Sequence, residues 1–424
     1  MLLNPKRAKL FSTHEVPHRF VFLSFDIFSI GNEPIKFKNR LIFCVYLSRL
    51  NPQIGSMKYN WQQIDWPNFS FNTAKIDHLL LDFIRNSGKL EGALETLTEN
   101  NQSETIIELL VIEAIKTSEI EGEYLSRKDV ASSIRKNLGL LKTTENIKDQ
   151  KARGIAELLI MVRNSYYKPL AKKELLNWHK SLMSHDPTIQ SGEWREHEEP
   201  MQIISGALGK EKIHFEAPPS KNVPQEMEQF FQWFNGTAPN QPNEIIHAPI
   251  RAAIAHLYFE SIHPFEDGNG RIGRALAEKA LAQTLGYNPL ISLSSTIELN
   301  KKEYYYYLER GQRKNEITEW IEYFVNTILH AQEFTQKLIH FTIQKTQIFD
   351  TFSTQLNEAQ LKVVKRILEQ GHEGFIGGMN AEKYMRISKV SKATATRHLH
   401  QLVEIGIFQI EGKGRATRYR INVN

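Results

Sequence analysis

From residue 57 onward, apolar positions recur at intervals of three and four, the period of helices with one buried face. The pattern predicts helices over 76–85, 104–118, 147–166, 172–183, 224–234, 249–260, 271–285, 301–310 and 318–342. One interruption reads as a hairpin, with 201–204 and 212–215 flanking Ser205-Gly206-Ala207-Leu208-Gly209, a glycine-bounded turn. The polar run 350–357 reads as a linker, and 358–424 as three helices followed by a strand pair. The expected class is all-α with a small hairpin and a separate C-terminal module. Residues 57–145 form a first helical module, 146–349 the main domain and 355–424 the last unit.

The informative run is His263-Pro264-Phe265-Glu266-Asp267-Gly268-Asn269-Gly270-Arg271-Ile272-Gly273-Arg274. It reads as a loop between two helices, the first opened by Pro249, whose missing N–H costs nothing in a first turn. Gly268 and Gly270 let backbone approach a ligand closely. The next helix begins near Arg271, so its free N–H groups and dipole make an anion site. Arg271 and Arg274 are three apart and share a face there. Two guanidinium groups over a helix start can hold more than one phosphate. Asp267 supplies a hard oxygen of the kind Mg²⁺ takes alongside phosphates. His263 supplies an imidazole, a group whose free form titrates near neutrality and suits the removal of a hydroxyl proton. A plain helix turn explains any one of these residues, but not the set within twelve positions.

The run resembles the signature of the Fic family, His-x-Phe-x-(Asp/Glu)-Gly-Asn-Gly-Arg-x-x-Arg, at each of its fixed positions. The resemblance extends from about Tyr59 to the C-terminus, taking in Trp61, Trp66, Thr318 and Trp320. It implies a protein adenylyltransferase, a nucleotidyltransferase that moves AMP from ATP onto a Tyr, Thr or Ser hydroxyl of target proteins and of itself. It implies His263 as base, Asp267 as the Mg²⁺ ligand, and Gly268, Asn269, Gly270, Arg271, Gly273 and Arg274 around the phosphates. Asn300, Tyr304 and Tyr305 also look like the family pattern, with a tyrosine set against the adenine, although packing suits most of that tyrosine run. Relatives that transfer the γ-phosphate have a disrupted Gly-Asn-Gly turn, which is intact here. The hairpin, with Ile213, His214 and Phe215, falls where the family carries a flap, and an edge strand can register a target's main chain.

Thr117-Ser118-Glu119-Ile120-Glu121-Gly122 fits the family's inhibitory motif, (Ser/Thr)-x-x-x-Glu-(Gly/Asn). There the glutamate pairs with the second signature arginine, here Arg274, and displaces the γ-phosphate. Glu119 and Glu123 read as solvated neighbours. In some relatives the same glutamate supports removal of AMP, so a two-way enzyme stays open. In the C-terminal module, residues 390–399 resemble the third helix of a winged helix, capped by Ser391. Lys392, Arg397, Lys413, Arg415, Arg418 and Arg420 make residues 391–420 a candidate DNA surface. A protein-interaction or dimerisation module is the alternative, and a homodimer stays open.

Composition adds three things. The net charge of +5 is misleading, because residues 1–56 hold eight Lys or Arg against three Asp or Glu, and the rest is neutral. That segment has no clear period, and it is expected to be either a poorly ordered arm or an extension upstream of a true start at Met57. One cysteine, Cys44, excludes an intrachain disulfide and a Cys-rich metal site. No apolar run approaches a membrane span, so the expectation is a cytoplasmic protein with no membrane partner. The main rival is an ATP-sensing winged-helix DNA-binding regulator without transfer; a phosphotransferase is the other.

Overall fold

The computed structural model describes residues 59–140, 148–206, 210–368 and 377–422. The reading of 1–56 as an arm or extension, and of Met57 as a start, lies outside the described residues, as do positions 207–209 of the hairpin turn.

Helices come first: α1 (Asp77–Glu95), α2 (Glu99–Ile120), α3 (Arg127–Asn137), α4 (Gln150–Ser165) and α5 (Lys172–Met183). The hairpin follows, β1 (Gln202–Ser205) antiparallel to β2 (Lys212–Glu216). Next are α6 (Val223–Gly236), α7 (Ala248–Ile262), α8 (Asn269–Leu285), α9 (Leu293–Leu299), α10 (Lys301–Gly311) and α11 (Thr318–Phe352). The chain then runs through α12 (Glu358–Leu368), α13 (Ala381–Ser388), α14 (Lys392–Glu404), β3 (Phe408–Glu411) and β4 (Arg418–Ile421). The fold is all-α with two small hairpins, as expected. No helix among the described residues is long and apolar enough to cross a membrane.

Every residue of α7 is buried, so the helix must be wrapped on all sides. It packs along α8 and against α6 and α11, while α2 lies on α9 and α4 on α5. Some of its polar residues are paired, while the Tyr258 hydroxyl is buried without a hydrogen-bond partner. Buried Arg251 spends five hydrogen bonds on Phe234 O, Thr237 Oγ1, Ala280 O, Gln283 Oε1 and Thr284 Oγ1, tying α6, α7 and α8 together. Burial brings this guanidinium down to about 10. The segment after Tyr59 clamps the same helix. Asn60 Nδ2 donates to Ser261 Oγ at 2.8 Å, and the Trp66 ring meets Tyr258 edge-on. Trp61 Nε1 reaches Glu216 O at the end of β2, 2.7 Å away.

The helices differ from the expected spans where packing overrides local signals. α1 continues past 85 through Gly88 and Gly92, because Leu90 is needed in a cluster with Leu97 and Ile339. α9 is too short to show a period, and α3 buries only two large apolar residues, Val130 and Ile134. The expected linker at 350–357 is half helix, since α11 runs to Phe352. Phe341 and Ile348 of α11 pack into the C-terminal cluster with Val363, Tyr384, Leu399 and Phe408, so that cluster begins before residue 349. Beyond it stand three helices and an antiparallel strand pair, the expected order.

Candidate active site

The loop between α7 and α8 turns on two left-handed residues, of which only the first is not glycine. His263 caps α7 at φ 51°, ψ 60°, with its N–H on Phe259 O at 2.9 Å. Histidine tolerates that region better than most residues, but neighbours must hold it there. Buried Arg195 does so: Nε donates to His263 O at 2.8 Å, Nη2 to Ile262 O at 3.3 Å, and its N–H to Pro264 O at 2.9 Å. Asn269 closes the loop from the other end. Its Oδ1 accepts from Phe265 N and its Nδ2 donates to Phe265 O, at 2.9 and 2.8 Å. Gly268 stands between them at φ 80° as N-cap of α8, a conformation that glycine adopts without strain.

His179 of α5 is the third support. Its ring stacks on Phe265 with centroids 3.8 Å apart. Nδ1 accepts from Gly192 N at 2.8 Å, so Nε2 carries the proton it donates to Asp267 O at 3.1 Å. Burial lowers this imidazole to about 4, with the bond to Asp267 O opposing and Arg271 adding to the shift.

The His263 imidazole is 7% exposed, and its Nδ1 lies 3.6 Å from Glu260 Oε2, one turn back on α7. Burial pushes the Glu260 carboxyl up, but His263, His256 and Arg274 outweigh it and hold the group below its ordinary value. The Glu260 carboxyl thus lies beneath the ring beyond hydrogen-bond distance, and His263 Nδ1 and Glu260 Oε1 are both buried without a hydrogen-bond partner.

Both signature arginines are buried and both are answered by carboxylates from the end of α2. Arg274 Nε and Nη2 donate to Thr117 Oγ1 and O at 2.7 and 2.9 Å, and Nη2 also meets Glu121 Oε1 at 2.8 Å. Thr117 and Glu121 are four apart and so share a helix face, which is why the spacing works. A Cβ at Gly270 would collide with Glu121 Oε1, so that glycine makes the room the carboxylate fills. Arg271 Nη1 meets Glu123 Oε2 at 2.6 Å, and Glu123 Oε1 also takes Lys151 Nζ at 2.6 Å. Burial raises the Glu123 carboxyl, but Arg271, Lys151 and His185 more than reverse this. Arg274 Nη1 and Arg271 Nε are buried without a partner. The pair thus retains donors for a further anion.

The remaining sequence-derived candidates fall at varied distances from this cluster. Asp267 has a side chain 45% exposed, bonded to Gly268 N and 3.6 Å from Arg271 Nη2, which leaves it open to a cation. Gly273 brings α8 against Glu260 and His256 and so acts in helix packing. Tyr304 is buried, with its hydroxyl on His256 Nε2 at 2.8 Å, so its hydroxyl is committed to packing beneath α7. Tyr305 is 36% exposed at the residue level, while burial and the Glu121 carboxylate drive its hydroxyl well above the ordinary value against the opposing Arg274. Asn300 is exposed at the α9–α10 junction and donates to Glu303; its neighbour Lys301 bonds Ile120 O at the end of α2. In the hairpin, Ile213 and His214 are half-buried, but Phe215 is buried against Tyr59 and Met201 and is not available to a target.

Glu123, Glu260 and Arg195 were not singled out by the sequence reading, which left Glu123 as a solvated neighbour. Glu260 carried a signal, an acid one turn before the histidine in a run otherwise almost wholly apolar. Arg195 carried none. Among the described residues no group of three or more His, Cys, Asp or Glu is placed to hold a metal ion.

A family profile described as "Fic/DOC family" matches residues 169–281, and a second, "Domain of unknown function (DUF4172)", matches residues 59–140. Protein adenylyltransferase Fic of Drosophila mojavensis is 30% identical over 137 residues, which are 32% of this chain and 23% of that protein. The Drosophila grimshawi counterpart is 30% identical over 138 residues, 32% of this chain and 24% of that protein. The match thus spans about a quarter of the length of these curated relatives. Among solved structures, a Fic family protein from Desulfovibrio desulfuricans is 19% identical at a TM-score of 0.49, covering 84% of this chain and 98% of that one.

The site geometry sets a pH limit. An unfolded chain protonates His179 near 6.5 and the folded one only near 4, so the unfolded state binds more protons in between and stability falls as pH drops through that window. The full effect is about 3 kcal/mol. Chemical denaturation at pH 7 and pH 4.5 should show the loss, reduced in His179→Gln; equal pH slopes in the two proteins would rule it out.

Proposed function

The chain carries a Fic/DOC-family domain, and on that premise we propose that it is a protein adenylyltransferase, moving AMP from ATP to a Tyr, Thr or Ser hydroxyl of target proteins and of itself. The observation that carries the reading is the junction of α7 and α8. A histidine backed by a buried carboxylate stands beside a helix start whose first turn holds two buried guanidinium groups.

His263 Nε2 takes the proton of the attacking hydroxyl, and Glu260 stabilises the imidazolium that forms. The hydroxyl oxygen bonds to the α-phosphorus and pyrophosphate leaves. Arg271, Arg274 and the first N–H groups of α8 bind phosphate oxygens, the role for which a helix N-terminus and guanidinium pair are suited. The Asn269 side chain is spent on the loop, so that residue contributes through its backbone. Asp267, open and flanked by the phosphate-binding groups, is the residue that would hold Mg²⁺. The ion supplies charge neutralisation on the phosphates. The single cysteine supports a cytoplasmic setting.

The contacts at the end of α2 support autoinhibition through two carboxylates. Glu121 occupies Arg274 and Glu123 occupies Arg271, so a bound triphosphate must compete for both. The expectation from sequence was a brake of one residue, Glu121.

On α14 the buried face is Ala395, His398, Leu399 and Leu402, which leaves Lys392, Thr396, Arg397 and His400 exposed. These types contact phosphates and base edges, and they favour DNA as a second partner of the same chain. Arg420 is paired with Glu411 on the strand pair and adds less than its charge suggests.

Three measurements test these readings. His263→Ala should cut AMP incorporation from α-labelled ATP at least about 100-fold with ATP affinity nearly unchanged; transfer at the parent rate would remove the base. A bond to a charged group is worth about 1.5–3 kcal/mol, so Glu121→Gly should raise self-modification about 10–100-fold, with Glu123→Ala raising it further in that background. If the second substitution is silent, the brake is Glu121 alone. Arg397→Ala should weaken binding to a random duplex and lower its salt slope by about one; a parent chain that binds no duplex at low salt would end the DNA reading.

A further inference from the structure

The hairpin contains a hydrogen-bonded chain that the proposed transfer does not use. Its register slips between Ile203 and Ile204, which makes His214 the extra residue of a bulge. Bulges re-aim side chains, and this one turns an imidazole between two partners. His214 Nε2 lies 2.6 Å from Ser205 Oγ, and Nδ1 lies 2.8 Å from Glu309 Oε2 on α10. Arg313 fixes the arrangement, with Nη2 on His214 O at 2.7 Å and on Glu309 Oε1 at 3.3 Å.

The protons can be placed. Burial raises the Glu309 carboxyl, but its bond to His214, with Lys212 and Arg313, reverses this and keeps it ionised below the ordinary value. An ionised carboxylate only accepts, so Nδ1 bears a proton, and in the neutral ring Nε2 accepts from the Ser205 hydroxyl. A hydroxyl bonded to a base that a third group orients is an activated nucleophile. Ser205 is exposed, at the far end of β1.

An activated hydroxyl needs an electrophile, and the chain's own proposed substrate provides one. Both roots of the hairpin are fastened to the catalytic loop. Ahead of β1, His197 meets Glu266 at 2.6 Å. Beyond β2, Pro218 O accepts from the Arg195 guanidinium that also holds His263 O. Four residues at about 3.3 Å each separate Met201 from Ser205, so the exposed hydroxyl stands about four residue steps along β1 from the hairpin root.

We infer that Ser205 is an acceptor of AMP in self-modification, an inference that rests on the transfer activity proposed above. Ser205 Oγ forms a bond to the α-phosphorus of ATP, and the bond from that phosphorus to the pyrophosphate oxygen breaks. Pyrophosphate leaves with the electron pair, and at this one acceptor the hydroxyl proton passes to His214 Nε2, which takes the part that His263 takes for other hydroxyls. The product is a phosphodiester on the hairpin that would occupy its exposed end.

The test is the full-length Glu121→Gly chain incubated with Mg²⁺-ATP, followed by intact-mass and peptide mass spectrometry. An adenylyl increment is expected on the hairpin peptide at Ser205. It disappears in Ser205→Ala, a surface change that leaves the fold in place, and drops at least about ten-fold in His214→Gln. AMP found only at other residues overturns the Ser205 assignment and leaves the transfer reaction standing. A chain that gains no AMP and gives none to an added cell extract overturns both.

Discussion

Two buried positive charges set the terms for this molecule. Arg271 and Arg274 are 3% and 1% exposed, on the first turn of α8. A guanidinium group taken out of water needs an anion close by, since an unpaired buried charge costs several kcal/mol. The first turn of a helix, with its own positive end, offers no relief. The anions come from α2, whose last turn and the residues after it bring Glu121 and Glu123 to the pair. Any phosphate chain that binds there takes the place of carboxylates the fold has already supplied. Under the proposed function, catalysis and its restraint are two solutions to one electrostatic requirement.

The second constraint is conformational. The catalytic loop is short, and it must turn at His263 through a left-handed residue while keeping the imidazole over Glu260. Each support acts on backbone: Arg195 on two carbonyls, Asn269 on both groups of Phe265, His179 on Asp267 O. Three side chains from three parts of the chain therefore hold a geometry that local preference would not hold alone. The N-terminal segment adds to this through Asn60 and Trp66, which pack against α7, so the 59–140 region is structurally part of the site.

Sequence reading and structure diverge according to how local the deciding contact is. The long helices were legible because one buried face imposes its period on the residues. α9 was not, having too few turns, nor was α3, which buries only Val130 and Ile134 as large apolar residues. The linker was misplaced because α11 is kept helical by Phe341 and Ile348, whose partners lie in the C-terminal cluster. Phe215 was placed at a target-facing edge, but alternation along a strand cannot say which side another segment covers, and Tyr59 covers that one. Tyr304 and Tyr305 are adjacent in sequence, yet one lies under the site on His256 and the other reaches the surface.

The sequence by itself determined the all-α class, the hairpin, the loop and helix start from His263 to Arg274 and the Thr117–Glu121 spacing. Each depends on residues within a few turns of one another, whose relative positions follow from helix geometry. Only the tertiary structure decided that Glu123 answers Arg271, that Glu260 and Arg195 hold His263, and that a bulge turns His214 toward Ser205 and Glu309. Those pairings join residues from 9 to 148 positions apart, apart from Glu260 on the same helix. They exist because packing brings distant elements together, and no local period records that.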